Sequence, residues 1–140
     1  MPVVSPLIDD RPPASARLPL DPDDGFPQAF RFVFAGYTYR VGVYVAVAER
    51  LLEPHRIDPR ALIDLAGADR EAPLNGRLIA DVVRESHGRE HVLLHRRLLP
   101  GLSYLLAELR LDVVHASVAI GNLNGHGQFG SRIDIRVGAA

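Results

Sequence analysis

The chain has 140 residues, of which 47% are hydrophobic, and its formal net charge is −1. A chain of this length typically forms one domain, and this composition supplies enough apolar side chains for one core. The near-neutral charge gives no general attraction to nucleic acid or to acidic membrane surfaces. The absence of cysteine excludes disulfides, thiolate metal ligands and cysteine nucleophiles, and it fits a reducing compartment.

All sixteen basic residues are arginine, so the chain has no lysine for a Schiff base, a phosphate-binding loop or general-base catalysis. The N-terminal stretch lacks the basic region and the apolar run of a signal peptide. The best candidate for a membrane span, residues 41–48, is much shorter than the roughly 18 apolar residues required. We therefore expect no membrane contact and no secretion by a signal peptide, with a location in the cytoplasm or in a particle assembled there.

Residues 1–28 differ in composition from the rest of the chain. They hold seven of the eleven prolines, and five aspartates against two arginines. Proline fixes φ and lacks a backbone N–H, so this stretch cannot be a central strand or a helix interior. We predict an acidic, proline-rich arm over 1–28 and one β-rich globular domain over 29–140. The arm's apolar side chains are candidate interface residues for docking on a neighbouring chain: Val3, Val4, Leu7, Ile8, Leu18 and Leu20.

The domain begins with a predicted hairpin. Residues 30–34 alternate phenylalanine with arginine and valine, which indicates a strand with one aromatic face. Ala35 and Gly36 are a tight-turn signal, and residues 37–47 alternate as a return strand. Phe32 is therefore expected in the core.

A short helix is predicted after this hairpin. Asp58 is a typical N-cap, Pro59 suits the first helical position, and Gly67 provides a stop. The segment between them is barely two turns long, so the helix should pack on the sheet.

A second hairpin is predicted from residues 78–85 and 90–99 around the turn 86–89. Helix remains an alternative for this stretch, because Gly88 alone does not forbid one.

The remaining chain is also rich in strand patterns. Residues 102–111 suit helix or strand, whereas 113–120 and 132–137 alternate as strands. About six antiparallel strands with one or two short helices predict a mainly β fold, either a sandwich or a partly closed barrel.

Three histidines are spaced at i, i+4 and i+8: His87, His91 and His95. On a helix they would share a face and suit a metal. On a strand, neighbours four residues apart are separated by roughly 13 Å at about 3.3 Å per residue. We predict a turn position for His87, an exposed strand face for the other two, and no bound metal or other cofactor.

Residues 125–130 match the pattern G-x-G-x-x-G. The dinucleotide-binding form of this pattern requires a following helix and an acidic residue about 20 positions on, and neither can be placed here. The segment is instead typical of a hairpin tip. Serine nucleophile motifs are also missing.

Arginines close to aromatic residues can mark a surface that stacks nucleic-acid bases. Arg31 and Arg40 lie beside the aromatic residues of the first hairpin, but the phenylalanines alternate as a core face does. No nucleic-acid partner is therefore predicted.

These observations favour a non-enzymatic structural or interaction subunit of a larger assembly, whose arm and sheet edges contact neighbouring chains. The strand hairpins, the glycine-rich late loop and the proline-rich arm together resemble small accessory subunits of phage-like particles. A small-ligand or regulatory binding domain is the alternative, and a metal- or histidine-dependent enzyme is the second alternative. The expected partners are other protein chains, in a homo-oligomer or a multi-subunit assembly.

Overall fold

The computed structural model describes residues 16–47, 58–66, 76–123 and 125–140. In this part of the chain the elements follow in the order β1 (Ala16–Arg17), β2 (Gln28–Phe34), β3 (Tyr37–Val47), β4 (Leu62–Ile63), β5 (Gly76–Ser86), β6 (Arg89–Leu98), β7 (Ser103–Leu106), β8 (Leu109–Ala119), a 3-10 helix (Ile120–Asn122) and β9 (Arg132–Ala139). One sheet has the order β2-β3-β5-β6. The other has the order β1-β9-β8-β4, with β7 also paired to β8.

The two predicted hairpins are confirmed, and both close through two-residue turns. Ala35 and Gly36 have φ of 52° and 82°, and His87 and Gly88 have φ of 52° and 74°. Two successive positive φ values are typical of the type I′ turn, whose twist matches that of paired strands. All strand pairs in the four-stranded sheet are antiparallel.

The ambiguous stretch 102–111 is a third hairpin. Strands β7 and β8 pair from Ser103 opposite Asp112 to Leu106 opposite Leu109. Leu109 and Leu111 alternate inward on β8 and are almost fully buried. This burial outweighs the helix-forming composition of the segment, because intrinsic propensity is a weak preference compared with packing.

The two sheets bury their facing sides against each other, so the predicted mainly β fold is confirmed as a two-sheet arrangement without barrel closure. Each inward side chain that becomes fully buried stabilises the fold by about 1.5–3 kcal/mol relative to its exposed state. The four-stranded sheet contributes Tyr39, Val41, Val43, Leu78, Val82 and Leu98, and the five-stranded sheet contributes Leu109, Leu111, Val113, Val118, Ile133, Ile135 and Val137.

The predicted helix after Asp58 is wrong for the residues that the structure describes. Asp58 accepts a hydrogen bond from the N–H of Arg60 (2.9 Å) through its side chain and one from Ala61 (2.9 Å) through its carbonyl. The chain then turns into β4, which pairs with the end of β8. Aspartate and proline favour a turn as readily as a helix start, and pairing with β8 decides between them. Gly67 lies outside the described residues.

The second half of the predicted arm is attached to the body. Strand β1 pairs with β9, and the N–H of Leu18 donates to the carbonyl of Ile135 at 2.8 Å. Leu18 and Leu20 are 4% and 7% exposed and belong to the core. The prolines of this segment, Pro19, Pro22 and Pro27, lie in the connection between β1 and β2, where no strand pairing requires their missing N–H groups.

Candidate functional site

The edge of the four-stranded sheet formed by β2 has backbone groups that point outward. Because the turn after β2 has two residues, Phe34 and Tyr37 form the hydrogen-bonded pair that closes the hairpin. The alternating pattern then directs the N–H and C=O groups of Ala29, Arg31 and Val33 away from β3. Within the described residues no strand pairs with this side of β2, which we call the free edge.

The free edge carries apolar side chains on both faces of the sheet. Phe30, Phe32 and Phe34 face inward but are only half-buried, because they lie at the margin of the core. The ring of Phe32 stacks on Tyr39 with 5.2 Å between ring centroids. On the outer face Val33 is 72% exposed. The prediction that the aromatic stripe packs inward is therefore confirmed in direction, but its burial is incomplete.

A network of charges crosses the outer face of the same sheet. Arg31 Nε lies 3.0 Å from Glu85, and Arg40 Nη1 lies 2.9 Å from Glu85 and 2.7 Å from Glu90. The hydrogen bond from Arg31 lowers the pKa of Glu85, and the hydrogen bond from Arg40 lowers the pKa of Glu90. The four groups balance one another in charge.

A shallow depression of about 410 Å³ lies next to this network on the outer face. Its floor is open above Gly42, where an added Cβ would meet no atom within 4 Å. The Nδ1 atom of His95 contacts a carboxylate oxygen of Asp81 at its side. The other lining residues are Ala29, Arg40, Val41, Val83 and Val92. The depression has room for a side chain or a small ligand that carries both apolar and charged groups.

The structure separates the three histidines of the i, i+4, i+8 pattern. His87 lies in the turn, as predicted. A register shift beside Val82 places His91 opposite Arg84 and His95 opposite Asp81. These two partners lie an odd number of positions apart on β5, so His91 and His95 lie on opposite faces of the sheet. The prediction that they share a face is wrong, and the described residues contain no cluster of three or more side chains suited to a metal.

A half-buried polar cluster was not predicted from the sequence. The Tyr39 hydroxyl donates to Glu108 at the turn between β7 and β8, and Arg84 Nη1 donates to the same carboxylate at 2.6 Å. The guanidinium of Arg84 lies 4.8 Å from the ring centroid of Tyr37. The sequence does contain one indication of this cluster. Tyr39 lies at an inward position of an alternating strand, and a buried tyrosine hydroxyl requires a hydrogen-bond partner.

These contacts also shift the ionisation of the cluster. Burial, followed by the hydrogen bond to Glu108, raises the pKa of Tyr39. The hydrogen bond from Tyr39 lowers the pKa of Glu108. The cluster therefore joins the two sheets through a neutral tyrosine and an ionised carboxylate.

The glycine-rich segment joins β8 to β9 and is followed by a strand, as the hairpin interpretation requires. Gly25 has φ of 82°, and a Cβ at this position would lie 3.3 Å from the backbone of Gly125. Buried Asn122 donates to the carbonyl of Gly127 at 2.7 Å and accepts from the hydroxyl of Ser131. The loop is thereby packed against the segment that leads into β2.

The predicted interface residues fall into two groups. Leu18 and Leu20 are core residues in this structure, so they are not available for docking on a neighbour, and their assignment as surface contacts is corrected. Val3, Val4, Leu7 and Ile8 lie outside the described residues. The free edge, by contrast, depends on the order of the strands, which the sequence pattern alone does not indicate.

Compared with protein families, with curated proteins and with solved structures, the chain gives no match. Among the residues that the structure describes, no helix has the length and apolar character needed to cross a membrane.

Proposed function

We propose that this chain is a non-enzymatic interaction subunit that contacts other protein chains through the free edge of β2. The observation that carries the proposal is the combination found at this edge. Outward N–H and C=O groups, incompletely buried phenylalanines and the exposed Val33 lie along a seven-residue strand. An exposed apolar edge is a template for an added strand, with backbone hydrogen bonds supplying affinity and side-chain pockets supplying specificity.

The charge arrangement supports the same function. Arg31 and Arg40 are paired with Glu85 and Glu90 inside the chain, so covering the edge leaves no single charge without its counterion. Interfaces commonly combine an apolar centre with a polar rim that stays in contact with water. Here the phenylalanine stripe and Val33 provide the apolar part, and the network provides the rim.

Photochemical cross-linking in the cells that produce the protein tests this proposal, with a reagent that inserts without requiring lysine, because the chain contains none. The full chain is compared with Val33→Lys, which places a charge on the free edge, and with Val92→Lys on β6. Val92 is a matched control because it is 71% exposed, compared with 72% for Val33. We expect cross-linked protein species that are reduced with Val33→Lys and kept with Val92→Lys. Cross-linking that is identical in all three proteins contradicts the proposal.

A small-ligand function is a second candidate, and the observation that favours it is the Asp81–His95 contact beside the depression. An imidazole with a carboxylate neighbour, above an apolar floor, offers a donor and an acceptor to a polar ligand. Screening a library of small polar metabolites by thermal shift with the parent and with His95→Ala tests it. A ligand of this site raises the melting temperature of the parent only.

A further inference from the structure

We propose that the occupant of the free edge is a second copy of this chain, paired antiparallel to β2 about Phe32 so that two four-stranded sheets become one continuous sheet. This inference rests on the proposed function and specifies its partner. Symmetric pairs are the commonest form of soluble protein assembly, and a two-fold interface requires a surface that complements itself.

Charge distinguishes β2 from the opposite edge strand of the same sheet. Strand β2 carries one charged residue, Arg31, and that residue is already paired with Glu85 at 3.0 Å. Strand β6 carries three arginines, two histidines and one glutamate in ten residues. Two copies of β6 would bring several like charges together, which destabilises directly opposed positions, whereas two copies of β2 can pair in a register that keeps the single arginines apart.

The backbone geometry suits a two-fold pair. The outward groups belong to Ala29, Arg31 and Val33, so hydrogen-bonded pairs between copies must form among these three positions. If the two-fold axis is perpendicular to the sheet, the inner faces of both copies lie on the same side of the joined sheet. Inward residues then pair with inward residues, and one residue of β2 lies opposite the same residue of the second copy.

Side chains then select the register. A pair centred on Arg31 overlaps all seven residues but places Arg31 directly opposite Arg31 of the second copy. A pair centred on Phe32 separates these charges and places Arg31 opposite Val33 of the second copy. It also aligns Phe30 with Phe34 of the second copy and Phe32 with its own counterpart. Three aromatic pairs form on the inner face, where the monomer leaves the same rings incompletely buried.

This register predicts that the sign of a charge at position 33 decides the strength of the pair. Val33→Glu places a carboxylate opposite Arg31 of the second copy, and Val33→Lys places an ammonium there. Each change occurs twice in a two-fold pair. We expect Val33→Glu to tighten the dimer and Val33→Lys to weaken it, each by roughly two- to thirtyfold in dissociation constant. Val92→Glu and Val92→Lys on β6 are the matched controls and should leave the dissociation constant unchanged.

Sedimentation velocity of the purified full chain over a range of concentrations measures these constants. Opposite effects of the two Val33 variants, with inert Val92 variants, support the proposal. Equal effects of both signs, or an effect of the Val92 variants, overturn the register. A parent chain that stays monomeric at every concentration overturns the second copy as occupant, while cellular cross-links that depend on Val33 would still support the proposed function.

Disulfide trapping gives a second readout, because the natural chain contains no cysteine. In the proposed register Phe32 faces its counterpart in a non-hydrogen-bonded pair, where the Cα atoms lie about 4.5 Å apart and within reach of a disulfide. Phe32→Cys should form covalent dimers under mild oxidation, and Val92→Cys should not. Equal trapping of both variants contradicts the proposal. The charge variants keep it testable if Phe32→Cys does not fold.

Discussion

The two edge strands of the four-stranded sheet, β2 and β6, differ in their charge, in their regularity and in how deeply their side chains are buried. Strand β6 carries six charged or titratable side chains in ten residues, contains a register shift beside Leu93, and holds Leu98 in the core at 1% exposure. Strand β2 has one charge, no register shift and no fully buried side chain. Charges and bulges are features that natural proteins use to prevent edge-to-edge association.

In the four-stranded sheet, the edge strand that charges protect from association, β6, is also the one with a side chain buried in the core. The edge strand without such charges, β2, has no fully buried side chain. Strand β6 is protected outside and anchored inside, so its stability comes from the chain itself. Among the described residues no strand or charge protects β2, and its phenylalanines are incompletely covered, so this strand can gain further burial. If the proposed association takes place, we therefore expect the stability of β2 to depend on it more than that of β6.

The largest expected effect is on the anchored edge. Leu98→Ala removes a side chain that is almost fully buried, so it should lower the free energy of unfolding by about 2–5 kcal/mol. The loss should not depend on protein concentration, because the contacts of Leu98 lie within one chain. Urea denaturation followed by circular dichroism at two concentrations checks both statements, and a loss below about 1 kcal/mol would show that β6 is not anchored as described.

A smaller effect is expected on the free edge at low concentration. Phe32→Ala removes the stack on Tyr39, but the ring is half-buried in one chain, so the expected loss is about 1–3 kcal/mol instead of the roughly 3–5 kcal/mol typical of a fully buried phenylalanine. If a second copy covers the ring, the loss grows with protein concentration, because association stabilises the parent only. Denaturation over a hundredfold concentration range measures the difference, and Leu98→Ala is its control.

Much of the fold was predictable because its signals are local. The alternation in β2 and β3, the Ala35-Gly36 turn and the turn at His87 all lie within a few residues of the strands they define. The bulge on β6 was not predictable, because no turn residue marks it. That one extra residue moves His91 and His95 to opposite faces. A period of two is reliable only while the register is unbroken.

The errors in the sequence predictions come from long-range packing. Asp58 begins a turn because the chain after it pairs with β8, which is far away in sequence. Leu18 and Leu20 lie among prolines, so the proline content led us to predict an arm. In the structure both side chains belong to the core, and the N–H of Leu18 binds a carbonyl of β9. The free edge is likewise a property of strand order, so it could be predicted only in general terms.

Acid should weaken the network that ties the free edge to the sheet. Glu85 has a pKa below its ordinary value of 4.5 because of Arg31 and Arg40, so the unfolded chain binds its proton at a higher pH than the folded chain. This contribution is fully present above the unfolded pKa and is lost as the pH falls through the folded pKa. Its size is limited because exposed pairs are screened by solvent.

Thermal melts from neutral pH down to acid measure this contribution. Glu85→Gln should flatten the fall in melting temperature below about pH 4.5, and Glu90→Gln should flatten it less, because Glu90 contacts Arg40 but not Arg31. Identical slopes in the parent and in Glu85→Gln would show that the network does not stabilise the edge.

The smallest effect is expected from the histidines of β6, which were the main reason to consider a metal-dependent enzyme. His91 and His95 are exposed and lie on opposite faces, and the contact of His95 with Asp81 is open to solvent. The double variant His91→Ala, His95→Ala should therefore unfold within about ±0.5 kcal/mol of the parent, as surface substitutions usually do. Zinc added to the parent should leave its melting temperature unchanged, because a metal that binds only the folded state would raise it. A rise of several degrees that disappears in the double variant would mean that the two histidines bind one metal ion in solution. Strand β6 would then be a metal-binding site and not only a charged edge that prevents association.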